Sequence, residues 1–140
     1  MKPKALVLLV LLLLAIPAAS QSKSSAAKPA GPKYDLSSEI TLKGVVEEVK
    51  EVPNSSLGET SLHLMVKTGS GLIEVQVAPV AFLKDMDVTF AKGDQLEIVG
   101  SQLTQDGNPI VLARSITRDR NELVVRDKQG APAWSWMKKG

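Results

Sequence analysis

The segment from Leu62 to Val77 leaves the chain few choices. Leu62, Leu64 and Val66 alternate with His63, Met65 and Lys67; beyond Gly69-Ser70, Ile73, Val75 and Val77 alternate with Glu74 and Gln76. An apolar period of two is that of a strand buried on one face. A two-residue connection that begins with Gly is the II′ kind of hairpin turn. A loop of that length sets Val66 opposite Ile73, Leu64 opposite Val75 and Leu62 opposite Val77, so six apolar side chains meet on one face. The other face then pairs Met65 with Glu74 and His63 with Gln76.

The rest of the chain continues in strands. Ile40 and Leu42 alternate with Thr41 and Lys43, and Gly44 then breaks the phase ahead of Val45, Val46 and Val49. A Gly at a phase slip predicts a bulge or a sharp coil in the strand. Pro53 to Thr60 reads as a loop. Between Ala78 and Met86, Pro79 suits the first turn of a short helix, with Val80, Phe82, Leu83 and Met86 as its apolar face. Lys92-Gly93-Asp94 turns into a fourth strand with Leu96 and Ile98. Asp106-Gly107-Asn108 turns into a fifth with Ile110, Leu112 and Ile116. Asn121 to Arg126 reads as a short extension. Three strands, a short helix and two strands is the order of an OB-fold barrel. The expectation is therefore an all-β, five-stranded OB-fold-like barrel over residues 39–127, with a helix between strands 3 and 4. A generic small β-sandwich is the alternative, and it would not need that helix.

The barrel is flanked by segments of other character. Lys2 and Lys4 precede a twelve-residue apolar run, Ala5 to Ile16, and Pro17 and Ala18-Ala19-Ser20 follow. This is the three-part secretory signal, predicting cleavage after Ser20 and a periplasmic or secreted protein. The run is short of the roughly 20 residues that span a bilayer, so no membrane span is expected after cleavage. Residues 21–38, rich in Ser, Ala, Pro and Gly, read as a disordered linker. Residues 128–140 read as a tail carrying Trp134 and Trp136. The chain's formal charge is +2, but residues 39–127 hold nine basic and fourteen acidic groups, a net of −5. Phosphate binding needs basic charge on the domain itself, so tight nucleic-acid binding is not expected. The chain has no Cys and one His. That excludes disulfides, thiolate metal sites and any multi-histidine site within one chain.

The pieces TLKGVVEEV (41–49), LHLMVKT (62–68), IEVQVAP (73–79), FAKGDQLEIVGS (90–101), ARSITRD (113–119) and ELVVRDKQGAPAW (122–134) carry a resemblance over most of the chain beyond the signal. In this order they resemble the MamS/MamX-type domain of magnetosome proteins and of exported proteins of other bacteria. They are also similar to small periplasmic bacterial OB-fold proteins. The resemblance implies an exported OB-like module without a defined activity. It also implies a second His at the place of Gln76, across the hairpin from His63. This chain has an amide there, which counts against a metal role. The haem-attachment CxxCH motifs of some multidomain relatives are absent, so no electron-transfer role carries over.

The candidate ligand-binding residues are those of the outward hairpin face: His63, Met65, Lys67, Glu74 and Gln76. A neutral imidazole suits a metal or a proton, but a solvated strand residue is the commoner explanation for His63. Glu47 and Glu48, as strand neighbours, point to opposite faces and cannot share a substrate. Asp85 and Asp87 read as capping and solubility charges. Arg114, Arg118, Arg120 and Arg126 are interleaved with Asp119, Glu122 and Asp127 and are expected to pair with them. Trp134 and Trp136 either dock on the barrel, the preferred reading, or form a partner-binding hook. No cofactor or metal is implied, and no nucleophile with its base is legible. The chain reads as a non-catalytic binding module for a protein or envelope component, engaged through strands 2 and 3 and the adjoining loops. An oligonucleotide binder and a weak metal-handling protein are the alternatives.

Overall fold

The computed structural model describes residues 33–53, 55 and 59–137, with side chains as far as 135. The predicted signal peptide and the predicted linker up to residue 32 lie outside these residues. The described chain runs β1 (Glu39–Val52), β2 (Ser61–Thr68), β3 (Gly71–Pro79), α1 (Val80–Asp85), β4 (Gln95–Gln105), β5 (Asn108–Arg118), β6 (Asn121–Val124) and α2 (Trp134–Met137). The sheet order is β3-β2-β1-β4-β5-β6, and a parallel pairing of β3 with β5 closes the first five strands into a mixed barrel. This is the expected OB-like arrangement, helix included. The short β6 hangs on the outer edge of β5.

The long β1 serves two neighbours in turn. It pairs with β4 from Glu39 to Val45 and with β2 from Val45 to Val52. Gly44 sits where β2 comes down onto it: a Cβ there would lie 2.5 Å from the Lys67 carbonyl oxygen and from a Val66 methyl. Close backbone approach, rather than a turn, is what this Gly provides. The bulge falls just beyond, between Val46 and Glu48. Because the bulge breaks the alternation, Glu47 and Glu48 are both exposed, contrary to the opposite-face expectation.

The hairpin holds the expected register from Val66↔Ile73 to His63↔Gln76 and then departs from it. A shift between Leu62 and His63 leaves Leu62 opposite Ala78 instead of Val77, and Ser61 opposite Pro79. All six predicted residues are nonetheless buried or half-buried. The turn is not of the II′ kind. Its positive φ belongs to Gly71, at 123°, whereas Gly69 has none. Thr68 governs it instead, its hydroxyl accepting from the Ser70 amide at 3.1 Å and donating to the Gly71 carbonyl at 2.9 Å. At the other hairpin Asp106 and Gly107 take φ of 53° and 82°, the pair of positive values that a type I′ turn requires. The core between the strands is Val46, Leu64, Val66, Val75, Val77, Ile98, Val111 and Ile116, capped by Phe82 and Leu83 of α1.

The flanking segments are less separate than the sequence implied. Residues 33–38 were expected to end the linker. A 3-10 turn, Leu36–Ser38, is instead tied to β4, where the buried Ser101 hydroxyl meets the Asp35 carbonyl at 3.0 Å and the Ser38 hydroxyl at 2.7 Å. At the other end Trp134 is buried in the core cluster and meets Phe82 edge-on, centroids 6.0 Å apart. Its ring is therefore not a surface hook. The side chain of Trp136 lies outside the described residues.

Candidate functional site

Four polar side chains line up on the outer side of β2 and β3. His63 and Gln76, expected in solvent, are only 5% and 3% exposed. His63 Nδ1 lies 2.5 Å from Glu74 Oε2, and its Nε2 lies 3.1 Å from Ser61 Oγ. Gln76 donates its side-chain amide to Gln105 Oε1 at 3.0 Å. The row continues into the β1–β2 loop, where Ser61 meets Ser55 Oγ at 2.7 Å and Ser55 donates to the Glu59 carbonyl at 3.0 Å. The partners of the row come from the preceding β1–β2 loop and from the end of β4, 29 residues from Gln76, which a strand-by-strand reading cannot see.

Of the predicted site residues, the structure brings His63, Glu74 and Gln76 into this row. Met65 is half-buried opposite Glu74, and Lys67 is exposed toward the hairpin turn. On the β1 side Lys50 stands across from His63. No third His, Asp or Glu joins the His63–Glu74 pair into a metal-sized group among the described residues. Ser61 was missed, although its place two residues before His63 puts both on one strand face. Ser, His and carboxylate in hydrogen-bonded succession is the outline of a hydrolytic triad.

The direction of the protons argues otherwise. The Glu59 carbonyl can only accept, so the Ser55 hydroxyl proton goes to it. Ser61 must then supply the proton of its bond with Ser55. With that proton committed, the bond between Ser61 and the ring requires His63 Nε2 to donate. A nucleophilic serine needs the reverse, its hydroxyl donating to a bare imidazole nitrogen.

A second polar cluster joins the two flanking segments. Arg114 of β5 grips Glu39 through Nε at 2.6 Å and Nη2 at 3.3 Å, and the Tyr34 hydroxyl donates to the same carboxylate. The Arg114 bonds, with that of Tyr34, hold the Glu39 carboxyl below the usual carboxylate range. Burial, helped by the Glu39 charge, pushes the Tyr34 phenol up to about 12. Arg126 is buried between the Tyr34 and Trp134 rings, 5.5 and 5.2 Å from their centroids, and donates to the Gly130 carbonyl at 2.8 Å. Arg118 bonds Asp94 at 2.9 Å and stacks on Phe90. Arg114 and Arg118 thus pair with Glu39 and Asp94 rather than with the neighbouring acids Asp119, Glu122 and Asp127, and Arg126 lies against aromatic faces; Arg120 is exposed. Sequence proximity misled because the partners that Arg114 and Arg118 reach lie on or beside other strands, while Asp127 accepts from the Gln129 and Ala131 amides of its own turn.

Apart from these rows the barrel carries clefts. One of about 550 Å³ lies between β1 and the β2–β3 turn. Another of about 240 Å³ is lined by Met86, Val88, Phe90, Ile116 and Leu123, with Arg118 and Glu122 at its side. Among curated proteins no match to this chain is found. The family model described as the MamS/MamX magnetosome protein family matches residues 38–123, from the start of β1 into β6.

Proposed function

The chain belongs to the MamS/MamX magnetosome protein family, and from that premise we propose that it is a non-catalytic, exported binding module whose partner is a protein or an envelope component. The observation that carries this is the wiring of Ser61. Its hydroxyl proton is directed to Ser55 and away from His63, so the one serine–histidine–carboxylate succession serves the fold. What the barrel then offers is surface: the exposed hairpin end around Lys67 and Leu72, and the clefts beside it. Export rests on the three-part leader at residues 1–20.

Aromatic placement speaks against the oligonucleotide reading. Phe82 and Trp134 are buried, while Phe90 and Tyr34 lie half-buried against Arg118 and Arg126. Single-strand binding rests on aromatic faces open to bases and on a basic groove. Incubating the purified protein with a short-chain aryl ester tests the non-catalytic part. The expected result is release no faster with the native chain than with Ser61→Ala. A Ser61-dependent burst would overturn it.

A further inference from the structure

We propose that the cleft between β1 and the β2–β3 turn is a strand-addition site for an extended peptide segment of a partner protein. The proposal rests on the binding reading above and gives its partner a chemical class. Among the described residues, β1 is paired on one side from Glu39 to Gly44, with β4. Its pairing with β2 begins only at Val45, because β2 lifts away into the Thr68–Gly71 turn. Across the gap β3 shows the same condition. It pairs with β2 from Gly71 onward, but its parallel pairing with β5 covers only Glu74 to Gln76. Two open strand edges thus border one cleft.

The lining shows that the cleft follows an edge and not a face. It touches four successive residues of β1, Ile40, Thr41, Leu42 and Lys43. Successive side chains of a strand point to opposite faces, so a cavity reaching all four runs along the backbone between them. An open edge presents N–H and C=O groups that an added extended chain completes. Ile40, Leu42 and Ile73 are half-buried at the floor, and Leu72 stands 58% exposed at the rim. These suit a segment with apolar residues at alternate positions. Lys43 is the charged group of the lining and is exposed. An acidic residue in the segment complements it. A lysine on an open edge also discourages pairing with a second copy of the same edge. The volume of about 550 Å³ falls within the range of roughly 300–1,000 Å³ typical of ligand clefts.

The test uses the ¹⁵N-labelled full chain and a displayed library of decapeptides that are apolar at alternate positions and carry one Asp or Glu. An enriched peptide is synthesised, and amide hydrogen exchange is measured with and without it. The expected result is that amides within Glu39–Gly44 and Gly71–Ile73 that exchange freely alone are slowed about tenfold or more on saturation, as new strand hydrogen bonds form. Lys43→Glu, at an exposed position, is expected to weaken binding by about tenfold through charge reversal. Methylating alternate peptide nitrogens should abolish binding in one phase and leave it in the other. Enriched peptides that leave those amides unchanged would remove strand addition while the binding reading stood. Failure of the library to enrich any binder would also remove it. So would edge amides already slowed in the free chain in a manner depending on residues 21–32 or on protein concentration.

Discussion

A lone histidine reports its own surroundings without ambiguity, and His63 is the chain's one histidine. Its sequence context, outward on β2 beside Gln76, read as that of a solvated strand residue. Buried between Ser61 and Glu74, it holds two partners that truncation would strand. His63→Ala is therefore expected to lower stability by about 1–3 kcal/mol, the cost of leaving buried polar groups unpaired, read from urea midpoints. Gln76→Asp, tolerable on an open face, is expected to destabilise for the same reason. Tyr34 is equally clean to follow, as the chain's one tyrosine. Its phenol titrates near 12 when folded against 10.0 ordinarily. Stability from this group is complete below pH 10 and is lost as pH rises toward 12. Phenolate absorbance at 295 nm should rise well above pH 10 in the native chain, and Tyr34→Phe should blunt the alkaline loss of stability. Glu39 works with the opposite sign. Its folded carboxyl titrates below its unfolded one, so its contribution is present above the ordinary carboxylate range and lost as pH falls through the folded value. Glu39→Gln should flatten the acid limb of the stability profile.

The elements were largely legible because they rest on local patterns. Period two from Leu62 to Val77 specified both strands and most of their register, and Pro79 marked the start of α1. What escaped was decided across the sheet. The shift at Leu62, the lifting of β2 from β1 and the edge it leaves open all depend on which strand lies alongside. Gly44 drew notice as a phase slip, yet its reason, the Lys67 carbonyl standing where a Cβ would project, exists only in the folded sheet. Gly44→Ala is expected to destabilise by about 1–3 kcal/mol or more, since the clashing atom is backbone and cannot swing aside. Leu64→Asp and Val75→Asp should unfold the barrel by burying a charge among apolar neighbours. Met65→Asp, at a half-buried place on the other face, should be tolerated far better. Equal losses in urea midpoint across these three would show the facing to be wrong.

At the scale of the whole molecule, composition suggested a barrel with loose ends, and the described ends are fastened. Tyr34, Arg126 and Trp134 come from three segments that no sequence window spans, and Gly130, at φ 89°, has room for no side chain beside Tyr34. Trp134→Ala is expected to cost on the order of 3 kcal/mol, because it uncovers Phe82 and removes a face from the buried Arg126. The triad-like row was illegible for a related reason: Ser55 and Gln105 reach it from a loop and a strand end. The proposed binding reading rests on the same row. Nitrogen-15 chemical shifts of the single imidazole in the folded protein at neutral pH test that reading most directly. A proton on Nε2, donated to Ser61, is the expected result. A bare Nε2 with the proton on Nδ1 alone would set His63 as a base facing the Ser61 hydroxyl, and would contradict the binding-module reading at its root.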